Sequence, residues 1–106
     1  MDYIKESDKM AEALVAALIP YLPPQSRDVA DEFEAGEYVA AAHGAIHDLG
    51  VLRADLPEAL IEGVEGLIEQ IKAENGSFDL RFLHQMETGL LQLNERRALV
   101  RGQRMA

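Results

Sequence analysis

The chain has 106 residues, with 19 acidic and 10 basic side chains, a formal net charge of −9, and no cysteine. This length supports one domain, because two cores of half this size would each bury too little apolar surface. The lack of cysteine excludes disulfide frameworks, thiol catalysis and cysteine-ligated metals. Its apolar runs are too short for a membrane span and its first residues lack a signal-peptide pattern, so we expect a cytoplasmic protein.

The negative charge is concentrated in the first three quarters of the chain. Residues 1–76 hold 16 acidic and 5 basic side chains, whereas residues 77–106 hold 3 acidic and 5 basic ones. An acidic body repels nucleic acid and anionic membranes, and it attracts basic proteins. We therefore expect neither nucleic acid nor a membrane as a partner, although such a charge also serves solubility alone.

Proline and glycine divide the chain into five segments whose apolar residues recur at helical spacing. No segment alternates apolar and polar residues with the period of two that indicates a strand. The sequence therefore predicts an all-α fold, a compact bundle of about five helices in a single domain covering residues 1–106. The predicted helices span residues 3–22, 24–34, 37–49, 56–74 and 78–99, and residues 100–106 form a frayed tail.

Individual residues set these predicted boundaries. Pro20 and then Pro23-Pro24 end the first helix, because proline lacks a backbone donor and clashes with the preceding turn. Pro24 is placed in the first turn of the second helix, where proline is tolerated. Gly36 and Gly50 are typical C-terminal caps of the second and third helices, and Ser77 offers an N-cap for the fifth.

One side of the fourth predicted helix carries four glutamates in a narrow stripe, and no lysine is interleaved among them. They are Glu58, Glu62, Glu65 and Glu69. Like charges at this spacing repel one another, so the stripe is either an ordinary solvated face or a docking strip for lysine and arginine on a partner. The four carboxylates share one environment, whereas catalytic carboxylate pairs need environments that split their pKa values.

Two histidines, His43 and His47, lie four residues apart on the third predicted helix. This spacing lets two imidazoles face one metal ion, but Gly44 stands where the metalloprotease pattern needs glutamate. Both histidines fall away from the apolar side of the helix, which favours an exposed pair at a surface or an interface. We expect no metal site and no cofactor, and the chain lacks a phosphate-binding glycine loop and a nucleophile elbow.

The fifth predicted helix is apolar over a wide arc formed by Phe78, Phe82, Leu83, Met86, Leu90, Leu91 and Leu93. Such a helix either lies centrally in the domain or also contacts a second copy of the chain, through the region Phe82–Leu93. The arginines that follow complement the dipole at the helix C-terminus. They are Arg96, Arg97, Arg101 and Arg104.

The turn Glu34-Ala35-Gly36-Glu37-Tyr38 joins an acidic helix to an alanine-rich helix. This arrangement resembles the helix–turn–helix of small bacterial toxin-immunity proteins of the MafI-like kind, and the resemblance covers about residues 28–67. A tetratricopeptide hairpin has a similar turn, matched here by Gly36, Glu37, Tyr38 and Ala41. No second copy follows at the spacing of that repeat, and a single repeat cannot bury its own face.

The resemblance implies a non-enzymatic binding protein that neutralises a cognate toxin. Together with the acidic composition, it leads us to expect a basic toxin domain as the partner, captured by charge complementarity. The expected contacts are Glu58, Glu62, Glu65 and Glu69 on the fourth helix, Asp31, Glu32, Glu34 and Glu37 around the turn, and His43 and His47. The alternative is a structural or adaptor helical module, including a homodimer, without a toxin partner.

Overall fold

The computed structural model describes residues 5–74 and 80–105. Within these ranges the chain forms α-helices and one 3-10 helix and no strand, which confirms the predicted all-α bundle. None of these helices is long and apolar enough to cross a membrane. The elements are α1 (Glu6–Leu18), the 3-10 turn (Ile19–Tyr21), α2 (Arg27–Glu34), α3 (Tyr38–Val51), α4 (Glu58–Glu74) and α5 (Leu80–Met105).

The start of α2 differs from the prediction. Pro24 lies in a turn before the helix, where the Ser26 N–H donates to the carbonyl of Pro23 at 3.0 Å. The helix therefore begins at Arg27 rather than at residue 24. The α-helix α1 ends at Leu18, before Pro20 and short of the predicted boundary at residue 22. The chain continues through Pro20 in 3-10 geometry, in which Pro20 needs no donor.

Two predicted helix ends are wrong. Gly50 lies inside α3, which runs to Val51, and Arg53 instead takes the left-handed conformation (φ 49°) that reverses the chain. The expected frayed tail is helical, because α5 continues to Met105 and Arg101 is held by Glu58 of α4. The predicted N-cap of the last helix, Ser77, lies outside the described residues.

The core forms around α3, which packs against α1, α2 and α5, while α4 packs against α1 and α5. Ala41, Ala42 and Ala45 are completely buried on α3, so their small side chains let the neighbouring helices approach closely. From α5 the core receives Met86 and Leu93. The central position considered for the fifth helix is therefore occupied by α3.

A carboxylate of α4 caps the N-terminus of α1. Lys5, the N-cap residue, makes no side-chain cap. Instead Glu74 accepts hydrogen bonds from the backbone N–H of Ser7 at 2.9 Å and from its hydroxyl at 2.7 Å. Ser7 is buried, and these bonds satisfy one of the backbone donors that a helix leaves free at its first turn. They also fasten the antiparallel pair α1–α4 at one end.

Candidate partner-binding surface

The turn between α2 and α3 has a fixed backbone. Gly36 is left-handed (φ 83°), its N–H donates to Phe33, and the N–H of Glu37 donates to the carbonyl of Glu32 at 2.9 Å. This pair of bonds is a Schellman motif, which needs a residue without Cβ strain at the reversal. The rings of Phe33 and Tyr38 meet edge to face, 5.5 Å apart, and close the joint.

Acidic side chains surround this turn and receive no cation from the described part of the chain. They are Asp28, Asp31, Glu32, Glu34 and Glu37, called the turn cluster below. Each recorded ion pair lies elsewhere in the fold. Partial burial raises the pKa of Glu32, and repulsion from Glu37 and Asp28 raises it further, while His43 acts in the opposite direction. Apart from this influence of His43, the described residues provide no cation to the turn cluster, which is a concentrated negative charge.

One neighbouring carboxylate was missed by the sequence analysis. The negative charge of Glu12 on α1 lies close to the Tyr38 hydroxyl and raises the pKa of that phenol. The contact joins residues 26 positions apart in sequence, so only the packing of α1 on α3 reveals it. Glu12 extends the acidic surface from the turn onto α1.

The glutamate stripe of α4 differs from the turn cluster because cations of the same chain partly neutralise it. Glu58 pairs with Arg101 and, at 3.4 Å, with Arg97, which also lies 3.9 Å from Glu65. Glu69 lies 3.7 Å from Lys72. The sequence showed no lysine within the stripe, but the neighbouring helix α5 supplies the arginines. The prediction that these arginines serve mainly the dipole of their own helix therefore missed a contact between helices.

Glu62 is the member of the stripe that makes no ion pair with any described residue, and its side chain is exposed. The stripe and the turn cluster lie on helices that do not pack against each other, because α2 packs on α3 while α4 packs on α1 and α5. The structure thus separates the predicted contact residues into two groups and does not bring them into one cluster.

The histidine pair is also divided. His43 is half-buried against α5, where its Nε2 lies 2.6 Å from Gln85 Oε1 and its ring lies 4.7 Å from that of Phe82. The expectation that both histidines lie away from the packed side is therefore wrong for His43, because the long helix α5 reaches over it. His47 is exposed and lies beside Asp48 at 3.2 Å. Within the described ranges, no three potential ligands gather around a metal position.

No family model, curated protein or solved structure matches this chain. The resemblance of the α2–α3 turn to MafI-like immunity proteins stays a prediction.

Proposed function

We propose that this protein is an immunity- or antitoxin-type inhibitor that binds a cognate, basic bacterial toxin domain in the cytoplasm through its acidic helical surface. The observation that carries the proposal is the turn cluster, in which Glu37 and Asp28 repel the carboxylate of Glu32 and no carboxylate makes an ion pair with a described residue. A basic partner would relieve this repulsion and gain ion pairs with carboxylates whose backbone is already fixed. Such complementarity accelerates association and rejects acidic competitors.

Within this proposal the turn cluster and Glu62 are the principal contacts. Glu58, Glu65 and Glu69 contribute less to this contact, because Arg97, Arg101 and Lys72 partly compensate their charge. His47 belongs to the exposed surface, whereas His43 is partly covered by α5. The proposed inhibitor blocks its partner by occlusion, and the proposal includes no catalytic step, metal or cofactor.

The test begins with the product of the neighbouring gene. That protein is expressed with and without this chain, growth is recorded, and the association rate constant of the purified pair is measured by stopped flow at low salt. The triple variant Asp31→Asn, Glu34→Gln and Glu37→Gln should associate about tenfold more slowly. The control, Glu6→Gln, Asp8→Asn and Glu95→Gln, removes the same charge elsewhere and should change the rate less than about twofold. Equal slowing by both variants would contradict the assigned surface.

A second candidate function, a homodimeric structural or adaptor module, is supported by α5. Large apolar side chains of this helix are exposed: Leu80 is 77% and Leu91 60% exposed, and Phe82 keeps 45% of its surface exposed although its ring packs on His43. Apolar surface of this kind often marks a contact with another protein. Light scattering over a dilution series separates the candidates, because a dimer formed through Phe82–Leu93 would persist on dilution and dissociate in a Phe82→Gln variant. A wild-type monomer would contradict the second candidate.

A further inference from the structure

A groove runs between α4 and α5 on a part of the surface that is separate from the turn cluster. Ile68 and Leu90, which are buried and half-buried, form its floor, and the exposed Leu91 stands at its α5 side. Its volume is about 530 Å³. The groove is open to solvent along its length, so it does not enclose a ligand as small-molecule sites do.

The rim of this groove is acidic. Glu65 and Glu69 line it from α4 and Glu87 lines it from α5, while Lys72 lies between them, 3.7 Å from Glu69 and 3.1 Å from Glu87. One ammonium group therefore serves two carboxylates. Glu65 in turn lies 3.9 Å from Arg97, so three carboxylates face two cations and the rim keeps a small net negative charge around an apolar floor. This combination favours an occupant that is both cationic and apolar.

The dimensions of the groove fit a helix. Its α4 side extends from Glu65 to Lys72, about 10 Å along the helix axis, which is the length of two helical turns. An amphipathic helix that docks in a groove uses apolar anchors at this spacing. Lysine or arginine side chains next to those anchors would reach the carboxylates on the rim.

We propose that the α4–α5 groove docks an amphipathic basic helix of the partner protein, with aliphatic side chains over Ile68, Leu90 and Leu91 and cations on Glu69 and Glu87. This inference rests on the proposed function, because it assigns a second contact region to the same basic partner. It also gives a role to the exposed Leu91, which the turn cluster leaves unexplained. The partner then contacts this chain at two separate regions. The contact at the turn cluster is electrostatic, and the contact at the α4–α5 groove is both apolar and electrostatic.

The probe is a synthetic fluorescein-labelled peptide of about 18 residues, long enough for appreciable helicity, with leucines at helical spacing and lysines beside them. Its affinity for the full chain is measured by fluorescence anisotropy. A scrambled peptide of identical composition keeps the charge and loses the apolar face. The groove variants are Leu91→Ser and the double variant Glu69→Gln with Glu87→Gln.

Matched controls are available on the same molecule. Leu99 is on the same helix as Leu91, is equally exposed at 60%, and lies outside the groove, so Leu99→Ser controls for loss of an apolar side chain. Glu6→Gln with Glu95→Gln controls for loss of two charges. Circular dichroism and thermal melting of each variant confirm that the helices are intact, which is expected because all substituted side chains are exposed.

Each groove variant should weaken peptide binding by at least about fivefold, which is typical of the loss of one anchor side chain at an interface. The control variants should change the affinity by less than about twofold. The scrambled peptide should bind at least about tenfold more weakly. The groove proposal would be overturned if Leu91→Ser and Leu99→Ser weakened binding equally or if both peptides bound equally well. It would also be overturned if the peptide did not bind at a protein concentration of about 1 mM. A wild-type dimer that Leu91→Ser dissociates would overturn it too, since the occupant would then be a second copy.

The two proposals fail in different ways. If the neighbouring gene product binds and only the turn-cluster variant weakens that complex, the groove proposal is wrong and the proposed function stands. If the peptide binds in the groove as expected and no basic toxin is neutralised by the chain, the docking chemistry stands and the proposed function is wrong.

Discussion

Gly50 of α3 lies directly against Gly89 of α5: a Cβ atom placed on Gly50 would stand 2.7 Å from the Cα of Gly89. A Cβ on Gly89 would in turn lie 2.8 Å from both the Cγ2 and the carbonyl oxygen of Ile46. The two backbones therefore meet without a side chain between them. This close approach positions α5 over α3 and, through α5, the groove described above.

The first prediction concerns this crossing. Gly89→Ala should lower the free energy of unfolding by about 1–3 kcal/mol, because the helix backbones must separate to admit the methyl group. Gly66→Ala is the matched control inside α4, where the new Cβ would meet Met10 Cε at an ordinary 3.6 Å. Alanine at position 66 should be neutral or stabilising by up to about 1 kcal/mol, as its helix propensity is higher. Urea unfolding of both variants measures the difference, and a destabilising Gly66→Ala would contradict the steric explanation.

The second prediction uses two reversals of the same kind. Gly36 ends α2 and Arg53 ends α3, and both residues have positive φ. Gly36→Ala should destabilise the protein by about 1 kcal/mol through left-handed strain, although no atom obstructs the new Cβ. Arg53→Gly should stabilise it by a comparable amount, since the same strain is relieved. Chemical denaturation measures the change in the free energy of unfolding for each variant. If both variants were stabilised or both destabilised, backbone strain would not govern these turns.

The helical periodicity of the sequence predicts the architecture because each amphipathic segment carries its own evidence. In α4, Ile61, Val64, Leu67 and Ile68 are buried and Glu62 and Glu69 are exposed, as their spacing indicates. Gly36 likewise ends α2 where the sequence predicts it.

What the sequence did not reveal depends on contacts between distant residues. The sequence predicts that Gly50 is a helix cap, yet it is buried inside α3. Gly89, 39 residues later, packs so closely against it that no side chain fits at position 50. The sequence predicts that Arg97 and Arg101 complement the dipole of their own helix, although both bind Glu58 of the neighbouring helix α4. The candidate site differs from the predicted one for the same reason, because ion pairs between helices determine which carboxylates keep their full negative charge.

The third prediction is a pH dependence at the Ser7–Glu74 contact. The hydrogen bonds from Ser7 hold the pKa of Glu74 below its ordinary value of 4.5. A depressed pKa contributes stability that is complete above 4.5 and is lost as the pH falls through the lower folded-state value. The difference in Tm between the wild type and Glu74→Gln should therefore shrink between pH 6 and pH 3. A difference that stays constant over this range would contradict the assignment.

The same contact can be tested from its donor. Ser7→Ala should lower the free energy of unfolding by about 1–2 kcal/mol, because it removes a hydrogen bond to a charged group and leaves the backbone bond in place. In the Ser7→Ala background the further change Glu74→Gln should cost less than it does alone, because the two residues are coupled. Additive effects in this double-mutant cycle would show that the hydrogen bond between the Ser7 hydroxyl and Glu74 does not contribute to stability.

The fourth prediction asks whether the stripe of α4 belongs to the partner surface. Arg97→Gln with Arg101→Gln frees Glu58 and Glu65 from their ion pairs. Stability should fall by less than about 1 kcal/mol, because surface ion pairs contribute little. Association with the basic partner should become faster and more sensitive to salt, since the stripe gains net negative charge. An unchanged association rate, measured by stopped flow over a salt series, would place the stripe outside the contact.

The fifth prediction concerns His43 and His47 in the complex with a basic partner. Histidine gains positive charge as the pH falls from 8 to 5, and added positive charge on this surface opposes binding of a cation. Affinity should therefore weaken toward pH 5 if the pair belongs to the contact, and replacing both residues by glutamine should remove this part of the dependence. Most of the effect should come from His47, because it is exposed, whereas Phe82 and Gln85 of α5 cover His43. Isothermal titration calorimetry at several pH values, with His47→Gln and His43→Gln measured separately, shows which histidine contributes more to the pH dependence of the affinity. An identical pH profile in the double variant would show that both histidines lie outside the interface.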